Sequence, residues 1–415
     1  MSVVARQSIE SRLVEAGLPP LPRMAWLEID LDALRGNLAA LRALAGDVPV
    51  HPVVKADAYG HGAIPISRAL EDAGAEGLSV ATMDEALELR QAGIGLPIRV
   101  LYPIPPEQVP AAIDAAITVA VGDASTLDAL LAAARAAGGR DADEELLVEI
   151  EVETGLGRGG SAPDEVADLV ERIEASPAVR LTGIWTHLQA SEDAARTAGQ
   201  LERFEIASAA IEAIGRQVPT RHVAASGGLL TGVGAFDGVR PGLSTYGILP
   251  DELDDASSHP SAGGFRPVMS LHARPIRVAD LPSGHGVSYG PSFTTTRPSR
   301  IATLPLGYGD GFARALANRA EALVRGRRVP QVGNVTMDAI MIDVTDVPGA
   351  PIDLDDEFVL LGEQGGERIT ALDLAQQRTT NTWEVVTSMS GRLARVYHAA
   401  TGGVVGVRTL TRWRG

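Results

Sequence analysis

Short apolar runs alternate with stretches of helical spacing through the first two-thirds of the chain. Runs starting near Val50, Leu78, Ile98, Ile117, Leu146, Leu181, His222 and Val239 read as buried parallel strands. Between them, apolar positions recur every three to four residues. Over 164–173, Val166, Leu169, Val170 and Ile173 share one helical face, and Asp168, Glu171 and Arg172 lie opposite. Ahead of the first run, Leu31, Leu34, Leu38 and Leu41 line a similar face. Eight β units separated by helices predict an α/β fold, a closed (β/α)8 barrel of the TIM type, because an outer ring of helices then covers every strand. An open, doubly wound sheet is the competing arrangement.

After Pro250 the pattern changes. Residues 251–264 are rich in Asp, Ser, Pro and Gly and predict a linker. Beyond it, Val268–Val278, Arg300–Leu306, Gln331–Val344 and Asp355–Leu361 read as strands, with one helix near Ile369–Gln376. The expected organisation is an N-terminal extension (1–23), the barrel (24–250), the linker (251–264) and a mostly β C-terminal domain (265–415).

Composition narrows the function classes. The 415 residues are too many for one ordinary core, which agrees with two domains. A net charge of −17 argues against nucleic acid or anionic membrane as a partner, since phosphates would be repelled. Small substrates stay open, because a pocket can gather Arg and Lys locally. With no cysteine, disulfides, Cys-ligated zinc and Cys nucleophiles are excluded, and no metal is expected. The first residues carry Arg6, Glu10, Arg12 and Glu15 and lack the apolar core of a signal peptide. No run reaches the roughly eighteen uncharged apolar residues of a membrane span. A cytoplasmic protein is the expectation.

The first chemically informative stretch is Val53-Val54-Lys55-Ala56-Asp57-Ala58-Tyr59-Gly60-His61-Gly62. A lysine ends an apolar strand and a polar, glycine-rich loop follows. Barrel enzymes place their chemistry at that end of the strands, and a lysine in apolar surroundings becomes a Schiff-base nucleophile. Position alone also fits a lysine that merely snorkels to solvent. Other residues are similarly double-edged alone. Arg158 fits a surface turn, His187 a structural role, Arg240 a barrel-end ion pair, and Tyr289 a buried strand tyrosine.

The complete stretch, however, closely resembles the lysine motif of the alanine racemases, barrel-type enzymes that use pyridoxal 5′-phosphate (PLP). Further motifs match in the same order over most of the chain. The resemblance implies that Lys55 holds the cofactor and is one catalytic base. In Glu153-Thr154-Gly155-Leu156-Gly157-Arg158, the arginine would reach the substrate carboxylate and the cofactor's phenolic oxygen. In Trp185-Thr186-His187-Leu188, His187 would pack on the pyridine ring. Ser226 and the backbone N–H groups of Gly242 and Leu243 would hold the phosphate, with Tyr59 and Tyr397 as further partners. Arg240 would bond the pyridine nitrogen, where most PLP enzymes use an acid. An arginine does not give up its proton, so charge spreads less into the ring and transamination is disfavoured. In Gly286-Val287-Ser288-Tyr289-Gly290, Tyr289 would be the second catalytic base. The backbone N–H of Met337, in Val335-Thr336-Met337-Asp338, would bind the substrate carboxylate, and Tyr308 would stand at the entrance.

Two positions depart from the family pattern. Ala225 stands before Ser226 where Asn is usual. Glu151 stands seven residues before Arg158, where many members carry a carbamylated lysine that orients the arginine. Glu151 is already anionic and would serve without carbon dioxide, with a water spanning the gap left by its shorter side chain. Its competing role is in an acidic trio with Glu149 and Glu153 facing solvent.

Racemisation removes the α-proton on one face and returns one on the other, so two opposed bases avoid a swinging single base. The expected activity is interconversion of L- and D-alanine, supplying D-alanine for peptidoglycan. The resemblance further implies a homodimer whose active sites are shared. Three alternatives compete: a broad-specificity racemase or a barrel-type PLP decarboxylase, a PLP carrier without turnover, and a cofactor-free aldolase. The β domain and Tyr289 argue against the carrier.

Overall fold

The computed structural model describes residues 7–137, 145–217, 220–253, 264–399 and 403–410. They divide into two compact units.

In the unit formed by Arg35–Ala58 and Ala63–Phe265, six strands pair in parallel and in chain order. They are Leu78–Val80, Ile98–Val100, Ile117–Val121, Leu146–Glu151, Val179–Trp185 and Arg221–His222. Parallel bridges from Val53 to Ser79, Val50 to Val239 and Ala225 to Arg240 close the ring. The bonds His51 N to Val239 O (2.9 Å), Val54 N to Ser79 O (2.8 Å) and Arg240 N to Ala224 O (2.9 Å) continue the ladder. All eight expected runs thus form a (β/α)8 barrel, not an open sheet. The closing segments pair through few residues because Pro52 and Pro241 have no N–H to give. Outer helices bury the faces their spacing predicted. Val166, Leu169, Val170 and Ile173 are the buried residues of helix Val166–Glu174.

The other unit comprises Met1–Leu34, Tyr59–Gly62 and Arg266–Gly415, and an 11-stranded sheet runs through it. Here the structure departs from the expected boundary at residue 24. Strand Ala25–Asp30 pairs in parallel with Ala394–Ala399 and antiparallel with Met269–Ala273, so it is an inner strand of this sheet. Its side chains from Ala25 to Ile29 are all buried, and two strand neighbours are what such a segment needs. The expected N-terminal extension is also structured in its described part. Helix Ile9–Glu15 sets Ile9 and Leu13 against Trp26, Ala394 and Val396. Beneath them Arg12 Nη2 and Glu28 Oε1 form a buried pair at 2.6 Å. The expected strand Gln331–Val344 is two strands, Arg327–Val332 and Ile340–Asp343, because Gly333 (φ 78°) turns the chain into a loop. The expected helix is Ala371–Arg378, capped where Asp373 N donates to Thr370 Oγ1 at 3.0 Å. Of the expected linker, 254–263 lie outside the described residues. No helix among the described residues is long and apolar enough to cross a membrane.

Candidate active site

Lys55 follows the first barrel run, and an unusual turn follows Lys55. Ala56, Asp57, Ala58 and Tyr59 all have φ between 52 and 55°, a left-handed turn made without glycine. Such residues cost about 1–2 kcal/mol each, so the surroundings must impose the turn. Glu85 Oε1 accepts from Ala56 N (2.6 Å), and Asp57 Oδ1 accepts from Ala63 N (2.8 Å). In the β-rich unit, Tyr397 Oη donates to His61 O (3.0 Å) and Arg395 Nε to Gly60 O (2.9 Å).

Of the barrel residues singled out from the sequence, Arg158 and His187 lie within electrostatic reach of Lys55, and Arg240 lies within reach of His187. Burial lowers the Lys55 pKa, the Arg158 cation adds to this, and Glu85 opposes it. His187 is pushed down to about 3, first by burial and then by Arg240, Arg158 and Lys55. Its ring is therefore neutral. Arg158 reaches back to Glu151, Nη2 to Oε1 at 3.3 Å, so the two meet directly and no bridging water is needed. Burial raises the Glu151 pKa and Arg158 counters the rise. The guanidinium of Arg158 also lies over the Tyr102 ring, 5.4 Å from its centroid.

Arg240 is 2% exposed. Its Nη1 donates to His222 Nδ1 and to His222 O (3.0 Å), and its Nη2 donates to Thr186 O (2.8 Å). It lies 4.9 Å from the Trp185 ring centroid. Burial lowers its pKa to about 9, which still leaves a cation at neutral pH. Ser226 Oγ accepts from Gly242 N (2.9 Å) and Ser244 N (3.2 Å), which brings Ser226 and the Gly242 amide together. Leu243, between them, is buried. Ala225 sits at the start of helix Ser226–Leu230, and its backbone bridges to Arg240.

These groups fit PLP. The fully buried Ser244 Oγ has no hydrogen-bond partner among the described residues, at the point where backbone amides and Ser226 converge. A buried hydroxyl left unpaired is costly, and a phosphate oxygen would pair it. Lys55, with its lowered pKa, and Arg240, held by three carbonyl or imidazole acceptors, are further groups of a kind that suits such a cofactor.

In the β-rich unit, three further candidates lie on loops tied to one another. Tyr289 is 79% exposed, which removes the reading as a buried strand tyrosine. Asn334 Nδ2 donates to Tyr289 O (2.8 Å), and Ser288 Oγ donates to Asn334 O (2.7 Å). Tyr308 N donates to Thr336 O (2.9 Å) and Gly309 N to Met337 O (3.0 Å). Met337 and Tyr308 are exposed, and Asp338 pairs with Arg392 at 2.5 Å. Tyr397 and Tyr59 are buried, and burial raises the Tyr59 pKa.

Sequence reading missed three partners: Tyr102, Glu85 and the Arg99–Glu149 pair, joined at 2.7 Å. The last had a signal. Arg99 and Glu149 are charges in the middle of apolar strand runs, where a buried partner is required. Tyr102 and Glu85 had none, since only the closed barrel sets the Tyr102 loop and the first turn of helix Met83–Gln91 beside Arg158 and Lys55.

Comparison with known proteins bears on the same assignment. Residues 29–250 match the model of the alanine racemase N-terminal domain, and 268–397 that of the C-terminal domain. The chain is 39% identical to the alanine racemase of Symbiobacterium thermophilum over 91% of its own length and 98% of the relative's. It is also 39% identical to that of Thermobifida fusca, over 91% and 98%. Among solved structures, Bacillus anthracis alanine racemase with bound L-Ala-P superposes with a TM-score of 0.84 at 31% identity, covering 94% of this chain and 98% of that one. The Streptomyces lavendulae alanine racemase gives 0.82 at 37% identity, covering 92% and 98%.

Proposed function

The chain belongs to the alanine racemase family, and from that premise we propose that it is a PLP-dependent isomerase interconverting L- and D-alanine, which supplies D-alanine for peptidoglycan. The observation that carries the reading is the convergence of Lys55, Arg158, His187 and Arg240 in one electrostatically coupled cluster at the barrel end. When bound, PLP withdraws electrons from the α-carbon of an amino acid joined to it and so acidifies its hydrogen.

The residues divide the remaining work. Lys55 would hold the cofactor, and its lowered pKa makes the amine easier to deprotonate, which suits it to take or return a proton on one face of the α-carbon. Tyr289 would do the same on the opposite face, with Lys55 serving D-alanine and Tyr289 serving L-alanine. Ser226, Gly242, Leu243, Tyr59 and Tyr397 would hold the phosphate. Arg240 would face the ring nitrogen, and His187, neutral, would pack on the ring. Arg158, oriented by Glu151, would clamp the substrate carboxylate with help from the Met337 N–H. Tyr308 would narrow the entrance, and Asp338 would steady that loop through Arg392. The high exposure of Tyr289 supports a homodimer in which each barrel is completed by Tyr289 and Met337 of the partner subunit.

The test is an L/D interconversion assay on purified protein with and without added PLP. Turnover of alanine, a visible absorption band from bound PLP, and loss of both in Lys55→Ala are expected. Release of carbon dioxide would favour a decarboxylase, and a band without turnover would favour a carrier. Turnover without any band would remove PLP from the account.

A further inference from the structure

Apart from Arg240, the polar interior of the barrel has no part in the function described so far. Arg99 Nε donates to Glu149 Oε1 (2.7 Å), and His222 Nε2 lies 3.0 Å from Glu149 Oε2. Arg240 Nη1 donates to His222 Nδ1, and Arg99 Nη1 to His51 Nδ1. Glu149, His222 and Arg240 are all buried. Charges in such a place are tolerated only when paired and fully hydrogen-bonded.

One placement of protons satisfies the whole chain of contacts. A guanidinium only donates, and a carboxylate only accepts. His222 must therefore turn a lone pair at Nδ1 toward Arg240 and carry its proton on Nε2, where Glu149 receives it. His51 accepts from Arg99 at Nδ1 by the same logic. Both rings are neutral, since burial, reinforced by nearby arginines, lowers His222 to about 4 and His51 to about 3. The group then holds two cations, Arg99 and Arg240, and Glu149 is the anion between them.

We propose that Glu149 is a positioning residue that fixes the His222 proton on Nε2, so that the Nδ1 lone pair receives Arg240 and holds its guanidinium toward the cofactor ring nitrogen. The proposal rests on the reading of Arg240 as that nitrogen's partner. Glutamine at 149 has one acceptor oxygen for two donors, and its amide would confront Arg99 or His222. His222 then gains access to its Nδ1–H form, which would set two donors against each other and push Arg240 aside. His51, Arg99, His222 and Arg240 also line a cavity of about 290 Å³, together with Pro49 and Asp237, which precede barrel strands. The His51–Arg99 side of the network thus lies toward the end from which the barrel strands start, and Glu149 acts on the cofactor-facing groups through His222 and Arg240.

The test uses the full chain labelled with 15N-histidine. There are eight histidines, and His222→Gln identifies the relevant signal. Wild-type protein without cofactor should show His222 neutral, with its proton on Nε2, at pH 7. An Nδ1–H or doubly protonated His222 in wild type overturns the proposal, whether or not any variant folds. Glu149→Gln should shift that signal toward Nδ1–H, displace the absorption band of bound PLP and weaken PLP binding about tenfold, the worth of one charged hydrogen bond. The Glu149→Gln/His222→Gln double variant should bind PLP no more weakly than His222→Gln alone. A folded Glu149→Gln with wild-type tautomer and affinity overturns the proposal, as do additive losses in the double variant. Wild-type protein that binds no PLP at all would instead overturn the parent reading of Arg240, while the tautomer signal would still report on Glu149.

Discussion

Two effects at Lys55 act in the same direction, burial first and the Arg158 cation second, and both make the amine easier to deprotonate. Replacing Arg158 by leucine removes one of them. The Lys55 pKa should then rise, which the pH dependence of amine labelling in cofactor-free protein measures. An unchanged profile would mean that Arg158 does not act on the amine. Glu151 behaves oppositely, because burial raises its pKa while Arg158 resists. As pH falls, Glu151 is therefore protonated earlier than an ordinary carboxylate, and Arg158 loses its anionic partner. KM for alanine should rise toward acid pH with kcat less affected. Glu151→Gln should raise KM at pH 8 about threefold, as befits a partly exposed ion pair, and should flatten that pH dependence. Kinetics identical to wild type would leave Glu151 as a bystander.

At the scale of elements, the turn after Lys55 and the strand interiors are the sensitive parts. Gly62 has φ 102°, and a Cβ there would strike the Tyr397 hydroxyl. Gly62→Ala should destabilise the protein by about 2 kcal/mol or more, seen as a lower denaturation midpoint. An unchanged midpoint would mean the turn relaxes without cost. The barrel strands carry a second liability. His51 and His222 are neutral in the fold, with pKa values lowered to about 3 and about 4, whereas in the unfolded chain each takes up a proton near pH ~6.5. Between these limits the unfolded state binds more protons, so stability is full above pH ~6.5 and falls as pH drops, by up to about 1.4 kcal/mol per pH unit for each ring. Denaturant titrations at pH 8, 6 and 5 should show the decline, and His222→Gln should reduce its slope. A pH-independent midpoint over that range would contradict the assigned neutral rings.

At the scale of the whole molecule, the dimer makes a sharp prediction. Lys55→Ala and Tyr289→Phe homodimers should each be nearly inactive. Mixing and re-associating them should restore about a quarter of wild-type activity, because half the dimers are mixed and one of their two sites has both groups intact. No recovery would place both groups in one protomer's site. Much of this molecule was legible before its structure. The eight apolar runs and the helical faces such as Val166 to Ile173 follow from local periodicity, which only requires that apolar side chains find cover. The motifs around Lys55, Arg158, Arg240 and Tyr289 are contiguous in the chain, so the family they belong to could be read there. Strand Ala25–Asp30 could not be assigned, because an apolar run does not say which of two sheets will pair with it. Nor could the network of Arg99, Glu149 and His222, whose members lie far apart in sequence and meet only when the barrel closes. Local patterning determined what each segment is. Pairing between distant segments, where burial forces every charge and hydrogen-bonding group to find a partner, decided where those segments went and which residues act together.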